Sequence, residues 1–155
     1  MPADRKRPRV YVIGPVIGPF RAASEYERRA HIARAEAIAL AVARAGAFPR
    51  CPHTHTAHFD GVAGVDNALW MELGLDMLSE CDAAVLVPGW QRYLDPTIEV
   101  ASHGSIAERD WCAAHGLLVL RDQAEVIAFV ARWKHDHDCG ERLSPRPAPV
   151  PVLPR

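Results

Sequence analysis

The chain has 155 residues, and its 18 Lys and Arg against 19 Asp and Glu give a formal net charge of −1. This length suits one domain with a single core, and 49% apolar with 24% charged residues is typical of a globular protein rather than a disordered one. The near-neutral charge argues against binding to a nucleic-acid polymer through its phosphates. No apolar run approaches the roughly 20 residues that span a bilayer, so no membrane partner is expected.

Apolar patterning predicts strands that alternate with helices along the chain. In chain order these are a strand over 9–13, a helix over 24–46, a strand over 47–50, a helix over 67–80, a strand over 83–87, a helix over 105–115, a strand over 117–120 and a helix over 123–133. The runs RVYVI and AAVLV are short and nearly continuous, as buried parallel strands are. Ser24 and Glu27 have the spacing of a capping box, and Gly46 and Gly116 are typical helix ends.

This alternation predicts one α/β domain with a parallel sheet over residues 9–140, between a basic leader at 1–8 and a proline-rich tail at 141–155. Right-handed crossovers bring the carboxyl ends of the strands to one edge of the sheet, where ligands bind. The loops that reach this edge are the segments richest in Gly, Pro, His and aromatic residues. We therefore expect the functional site there.

The segment SHGSIAE at 102–108 lies between a strand and a helix. Gly104 and Ser105 coincide with the first free N–H groups of that helix, which can bind an anion with help from the hydroxyls of Ser102 and Ser105. Glu108 follows one turn later. By spacing alone, a capping box between Ser105 and Glu108 is the simpler interpretation.

The run CDAAVLVPGW at 81–90, followed by SHGSIAE, resembles the nucleoside 2-deoxyribosyltransferase superfamily. It is most similar to a bacterial and phage branch with a CDA-hydrophobic-PGW strand and an SxG[AS]xxE motif. VYVIGP at 10–15 and the segment at 52–61 match that branch too, so the resemblance covers residues 9–120. It implies a single flavodoxin-like (Rossmann-type), doubly wound domain of about five strands in the order 2-1-3-4-5. It also implies cleavage of an N-glycosidic bond in a nucleoside or nucleotide, with no cofactor.

The resemblance assigns roles to particular residues. Glu108 attacks C1′ of the sugar and holds a covalent glycosyl ester, which water or a second base displaces. Tyr11 positions this nucleophile. Members that transfer deoxyribose carry an acidic residue at the place of Ser102, and members that hydrolyse 5′-monophosphates carry serine, so Ser102 favours a phosphorylated substrate. Arg21 would add positive charge.

One departure from the family pattern concerns the acid that protonates the leaving base. Position 74, eight residues before Asp82, is a glycine, and Asp76 or Glu72 is the candidate replacement. Trp70 and Trp90 are candidates for stacking on a base, with a role in the core equally compatible. The predicted substrate-binding residues are Gly14, Arg21, His53, Asp60, Trp70, Gly89, Trp90, Ser102, Gly104 and Ser105.

Two other functions remain open at this point. The alternating histidines His53, His55 and His58, with Asp60, could form a metal-dependent hydrolase site, although the resemblance predicts no metal there. A nucleotide-binding module without turnover is the non-enzymatic alternative, favoured by Gly74. The four widely spaced cysteines form no C-x-x-C pair and predict reduced thiols in a cytoplasmic protein. The resemblance further implies a homo-oligomer.

Overall fold

The structure is a computed structural model that describes residues 6–15, 25–56, 67–90 and 102–143. Helices flank a parallel sheet, which confirms the predicted α/β, flavodoxin-like architecture. The elements are β1 (Arg9–Ile13), α1 (Glu25–Ala45), β2 (Phe48–Arg50), α2 (Pro52–Thr56), α3 (Asn67–Ser79), β3 (Ala83–Leu86), α4 (His103–His115), β4 (Leu118–Leu120) and α5 (Gln123–Leu143).

The strand order is β2-β1-β3-β4, so β1 lies inside the sheet. Val10 pairs with Pro49 on one side and with Ala83 on the other. Within the described ranges the sheet has four strands, and the implied count of five is wrong for this part of the chain. The physical reason is that α5 continues to Leu143 instead of ending near 133, and the chain then enters the proline-rich segment.

Side chains of β1 alternate between the two faces of the sheet, as the two-residue period of a strand requires. Val10 and Val12 pack in the core beneath α1 and α5. Tyr11 and Ile13 pack in a second core cluster on the opposite face, beneath α3 and α4. The buried members of the second cluster are Tyr11, Ile13, Leu78, Cys81, Ala84, Trp90 and Cys112. The alternation therefore decides which helices Tyr11 can contact.

Two predicted boundaries change in the structure. Part of the expected loop at 51–66 is the short helix α2, and α4 begins at His103, two residues earlier than predicted, with Ser102 as its N-cap. Gly46 and Gly116 end their helices with positive φ, as predicted. Ser24 and the tail lie outside the described residues.

Charged side chains join the strands at the edge opposite the predicted site. The backbone N–H of Arg9 donates to Oδ2 of Asp82 over 2.8 Å, and the Arg9 guanidinium donates to Glu80 over 3.0 Å. Arg50 reaches the same Glu80 carboxylate at 3.4 Å. These contacts fix β1 and β2 relative to the segment that enters β3. In the described ranges, no helix is both long and apolar enough to cross a membrane.

Candidate active site

A hydrogen bond joins the two residues to which the family resemblance assigns the central chemistry. The hydroxyl of Tyr11 donates to Oε1 of Glu108 over 2.6 Å, across 97 positions of sequence. Tyr11 is fully buried on the face of β1 that α4 covers, and Glu108 lies on the second turn of α4. The strand therefore supplies the donor and the helix supplies the acceptor.

The surroundings of this pair change the acidity of both groups. Burial raises the pKa of Glu108 to about 7, and the Tyr11 hydrogen bond only partly opposes that rise. Burial, followed by the negative charge of Glu108 and the hydrogen bond to it, raises the pKa of Tyr11 well above its usual range. Tyr11 therefore stays a hydrogen-bond donor, while the Glu108 carboxyl gains and loses its proton near neutral pH. Strongly shifted carboxyls of this kind concentrate at functional sites.

Helix α3 approaches the pair through Gly74. A Cβ atom on Gly74 would lie 3.2 Å from the Tyr11 hydroxyl oxygen and 3.3 Å from Oε1 of Glu108. Position 74 thus faces the predicted nucleophile, but the glycine there has no side-chain carboxylate. On the other side, burial and then the charge of Glu108 raise the pKa of Cys112 to about 11, so this thiol is neutral.

The start of α4 differs from the capping box that spacing suggested. The backbone N–H of Ser105 donates to Oγ of Ser102 over 3.4 Å, and the two hydroxyl oxygens are 2.9 Å apart. Both serines are buried. Ser105 is thus capped by Ser102 and not by Glu108, because α4 begins at His103 with Ser102 as its N-cap. Glu108 accepts from Tyr11 instead. Gly104 lies beside α3, where a Cβ would be 3.3 Å from Sδ of Met71.

Several predicted substrate-binding residues lie along the carboxyl edge of the sheet. Gly14 follows β1 so closely against β3 that a Cβ would lie 2.9 Å from Cγ2 of Val87. Trp90 is buried in the cluster beneath α3 and α4, with the Arg109 guanidinium 5.4 Å from its ring centre. Trp90 therefore packs in the core in this structure. Trp70, on the first turns of α3, is partly buried.

Asp76 is not brought to the pair. It is exposed, and its backbone carbonyl accepts a hydrogen bond from the Ser79 hydroxyl over 2.7 Å. Two residues of α-helix correspond to about 200° of rotation, so Asp76 lies on the side of α3 away from Gly74. The other two predicted residues at this edge, Arg21 and Asp60, lie outside the described residues.

The described part of the histidine-rich segment forms the helix α2, and this changes what His53 and His55 can bind. His53 is 1% exposed, and its Nε2 lies 3.0 Å from the carbonyl oxygen of Pro15. His55 is exposed. Residues two apart on a helix do not face each other, so these two imidazoles do not converge on one ion as the metal hypothesis requires. In the described ranges, no group of three or more His, Cys, Asp or Glu side chains is arranged to hold a metal. His58 lies outside them.

The buried His53 also lies near His31 of α1. Desolvation lowers the pKa of His53 to about 4, and nearby His31 lowers it further, although the carbonyls of Pro15 and Gly14 favour the proton. His31 is itself buried, with Nε2 3.6 Å from Glu27. This polar cluster was not predicted from the sequence. The i, i+4 spacing of Glu27 and His31 was the available signal, but it does not indicate burial.

Comparison with protein-family models, with curated proteins and with solved structures found no match for this chain.

Proposed function

We propose that this protein hydrolyses the N-glycosidic bond of a nucleoside 5′-monophosphate, as a member of the nucleoside 2-deoxyribosyltransferase superfamily, with transfer of the sugar to a second base as a variant outcome. Glu108 is the nucleophile and Tyr11 its positioning donor. The observation that carries the proposal is the 2.6 Å hydrogen bond between the two side chains. It holds a desolvated carboxylate beside the middle residue of β1, on the side of the sheet that α3 and α4 cover.

The first step forms a glycosyl ester. The ionised Oε of Glu108 attacks C1′, the C1′–N bond breaks, and the bonding electron pair leaves with the base nitrogen. The Tyr11 hydroxyl restrains Oε1 and thereby orients the carboxylate, which is the positioning part of the rate enhancement. A carboxylate with a pKa of about 7 is less strongly solvated than an exposed one and is still ionised in a large fraction of molecules at neutral pH.

The second step releases the sugar. A water oxygen attacks C1′ of the ester, the C1′–O bond to Glu108 breaks, and the carboxylate is regenerated while the water loses one proton to solvent. Two displacements at C1′ retain its configuration. If the nitrogen of a second base attacks instead of water, the product is a new glycoside and the enzyme acts as a transferase.

Protonation of the leaving base is the step for which α3 supplies no side chain. Gly74 meets the pair with its backbone, and Asp76 is exposed on another side of the helix. In this proposal the base nitrogen therefore takes its proton from water. The rate should therefore depend strongly on how readily the base leaves. This dependence should be steeper than in an enzyme whose own side chain protonates the base.

The test measures, by chromatography, the free base released from a panel of nucleosides and their 5′-monophosphates. We expect release from monophosphates by the wild type and none by Glu108→Gln, with Glu36→Gln, an exposed glutamate on α1, as matched control. Intact-mass analysis of rapidly quenched reactions should show a glycosyl adduct in the wild type that Glu108→Gln lacks. EDTA should change nothing. Release that survives Glu108→Gln would refute the assignment, and release abolished by EDTA would favour the metal hypothesis.

A nucleotide-binding module without turnover is the second candidate, and the glycine at position 74 is the observation that favours it. Under this alternative the wild type binds nucleoside monophosphates, but no substrate in the panel loses its base even when an acceptor base is present. Affinity unchanged in Glu108→Gln, together with zero turnover in the wild type, would establish it.

Assembly and location complete the proposal. Leu69 and Leu73 on α3 are 40% and 45% exposed, and Leu73 directly precedes Gly74. Covering these leucines with a second copy of the chain fits the homo-oligomer that the family resemblance implies, and sedimentation of the purified protein tests it.

The thiols of Cys51, Cys81 and Cys112 are free and buried, as in proteins of reducing compartments, and we propose a cytoplasmic location on that ground.

A further inference from the structure

Arg34 of α1 places a positive charge at the carboxyl end of β3. A Cβ atom on Gly89 would lie only 2.8 Å from Nη2 of Arg34, so the guanidinium lies directly against this glycine. Gly89 has a φ of 73°, in the turn that the Trp90 N–H closes on the Val87 carbonyl over 2.9 Å. A residue with a side chain at position 89 would be strained by this φ and would displace the guanidinium.

This position is the point of the sheet where the chain reverses its direction of winding. From β1 the chain goes to β2 on one side of the sheet, and from β3 it goes to β4 on the other. Open α/β sheets bind their ligands in the crevice at the carboxyl ends of the two strands that flank such a point. Here those strands are β1 and β3, Gly14 and Val87 touch at the crevice floor, and Arg34 lies at its β3 side.

Arg34 forms no ion pair within the described part of the chain, although its charge lies close enough to His31, the neighbour of Glu27, to lower the pKa of that imidazole. The other partly buried arginines are occupied there: Arg9 and Arg50 contact Glu80, and Arg109 contacts Asp110 and Trp90, while Arg28 also has an interaction partner. Arg34 is partly buried as well, and no hydrogen bond or ion pair of its side chain occurs among the described residues. A guanidinium that forms no ion pair in the fold can bind an anionic group that a ligand supplies.

The start of α4 is the other candidate for binding an anion. The hydroxyls of Ser102 and Ser105 are buried and bonded to each other, so the helix start offers backbone N–H groups but little free side-chain capacity. The backbone N–H groups of the helix start can still bind an anion, and a nearby guanidinium would add a full positive charge to them. A guanidinium matches phosphate oxygens with two parallel N–H donors.

We propose that Arg34 and the turn over residues 87–90 form an anion subsite that binds the phosphate group of a phosphorylated sugar. This inference rests on the proposed function and deepens it, because it assigns the residue that selects monophosphates over nucleosides. The sequence had given that role to Ser102 and Arg21.

Binding of inorganic phosphate and of ribose 5-phosphate, measured by titration calorimetry at constant ionic strength, tests the subsite without any turnover. We expect Arg34→Gln to weaken both ligands at least tenfold and Arg34→Lys to weaken them less. Arg44→Gln, an exposed arginine on the same helix, should bind as the wild type does. Equal binding by Arg34→Gln and wild type, or no phosphate binding by the folded wild type, would overturn the proposal.

A second measurement serves if Arg34→Gln does not fold. Phenylglyoxal modifies arginines, and peptide mass analysis of the wild type then reports each site. Phosphate should protect Arg34 and leave Arg44 as reactive as before, and equal protection of both would count against the subsite.

The two proposals fail in different ways. If phosphate binds through Arg34 but no base is ever released, the glycosidase proposal fails and the subsite stands. If monophosphates are hydrolysed and Arg34→Gln keeps the full ratio of kcat/KM for a monophosphate to that for its nucleoside, the subsite fails and the glycosidase proposal stands.

Discussion

Replacing Glu108 with glutamine should make the protein more stable at high pH and leave its stability nearly unchanged at low pH. Burial holds the pKa of Glu108 at about 7 in the folded chain, against 4.5 for an unshifted glutamate. A shift of this size corresponds to about 3 kcal/mol, since each pKa unit is worth about 1.4 kcal/mol. The folded state binds the proton more tightly than the unfolded state does. The favourable contribution of the protonated carboxyl is therefore complete below pH 4.5 and is lost as the pH rises through 7.

Glutamine keeps the carbonyl oxygen that accepts from Tyr11 and cannot ionise. Relative to wild type, Glu108→Gln should gain about 3 kcal/mol of unfolding free energy between pH 4.5 and pH 8. The assay is urea unfolding followed by circular dichroism at several pH values, with Glu36→Gln as the matched control. A pH-independent difference between Glu108→Gln and wild type would refute the assignment of a desolvated carboxyl. A gain equal to that of Glu36→Gln would refute it too.

Three further changes probe the same region. Tyr11→Phe removes the hydrogen bond that lowers the pKa of Glu108, so the acid limb of kcat/KM should move to higher pH, and an unmoved limb would contradict the pairing. His53 has a pKa of about 4 in the fold, so this group should contribute a fall of about 3 kcal/mol in unfolding free energy as the pH drops from 6.5 to 4. In urea unfolding, His53→Gln should lack this contribution, so its pH dependence should differ from that of the wild type by this amount. Equal pH dependence in the two proteins would contradict the assignment. Gly74→Ala should cost a net of about 1 kcal/mol, since crowding of Tyr11 and Glu108 outweighs better helix propensity, and a stabilised variant with an unshifted pH profile would show that the pair tolerates the methyl group.

The opposing signs of two of these effects have a consequence for the wild type. Between pH 4.5 and 6.5, ionisation of Glu108 lowers the stability as the pH rises, whereas the release of the proton from His53 raises it. The two contributions are similar in size, so the wild type should show little net pH dependence from them. Each single variant should expose the slope of the other group.

The parts of the fold that could be predicted were those fixed by local patterns. The runs that became β1 and β3 are short and almost continuously apolar, and two glycines at helix ends take positive φ as expected. Helix α2 could not be predicted, because the propensities of PHTHT are weak. It forms where the Thr54 N–H and hydroxyl both bond to the Cys51 carbonyl. Tertiary surroundings, not propensity, decide such a segment.

In the candidate site, too, some features could be predicted from the sequence and others depend on tertiary contacts. Glu108, Tyr11 and Gly74 could be named from sequence, but the capping partner of Ser105 could not. Spacing favoured Glu108 as the partner of Ser105, but α4 begins at His103 and Ser102 is its N-cap. Glu108 accepts instead from Tyr11, which lies 97 positions away in sequence. The position of Arg34 could not be predicted from the sequence, since its proximity to Gly89 depends on how α1 lies across the sheet.

The span between Tyr11 and Glu108 determines when the Glu108 carboxyl acquires its raised pKa. One partner lies on the first strand and the other on the fourth α-helix, and the water-poor surroundings of the carboxyl exist only when α3 and α4 have both closed over β1. During synthesis, or in any fragment that stops before α4, the Tyr11 hydroxyl lacks its acceptor Glu108. In a chain that has unfolded, Glu108 is an ordinary surface-like acid. The proton affinity of this one side chain is thus a property of the completed fold, and its titration reports how much of the population has reached it.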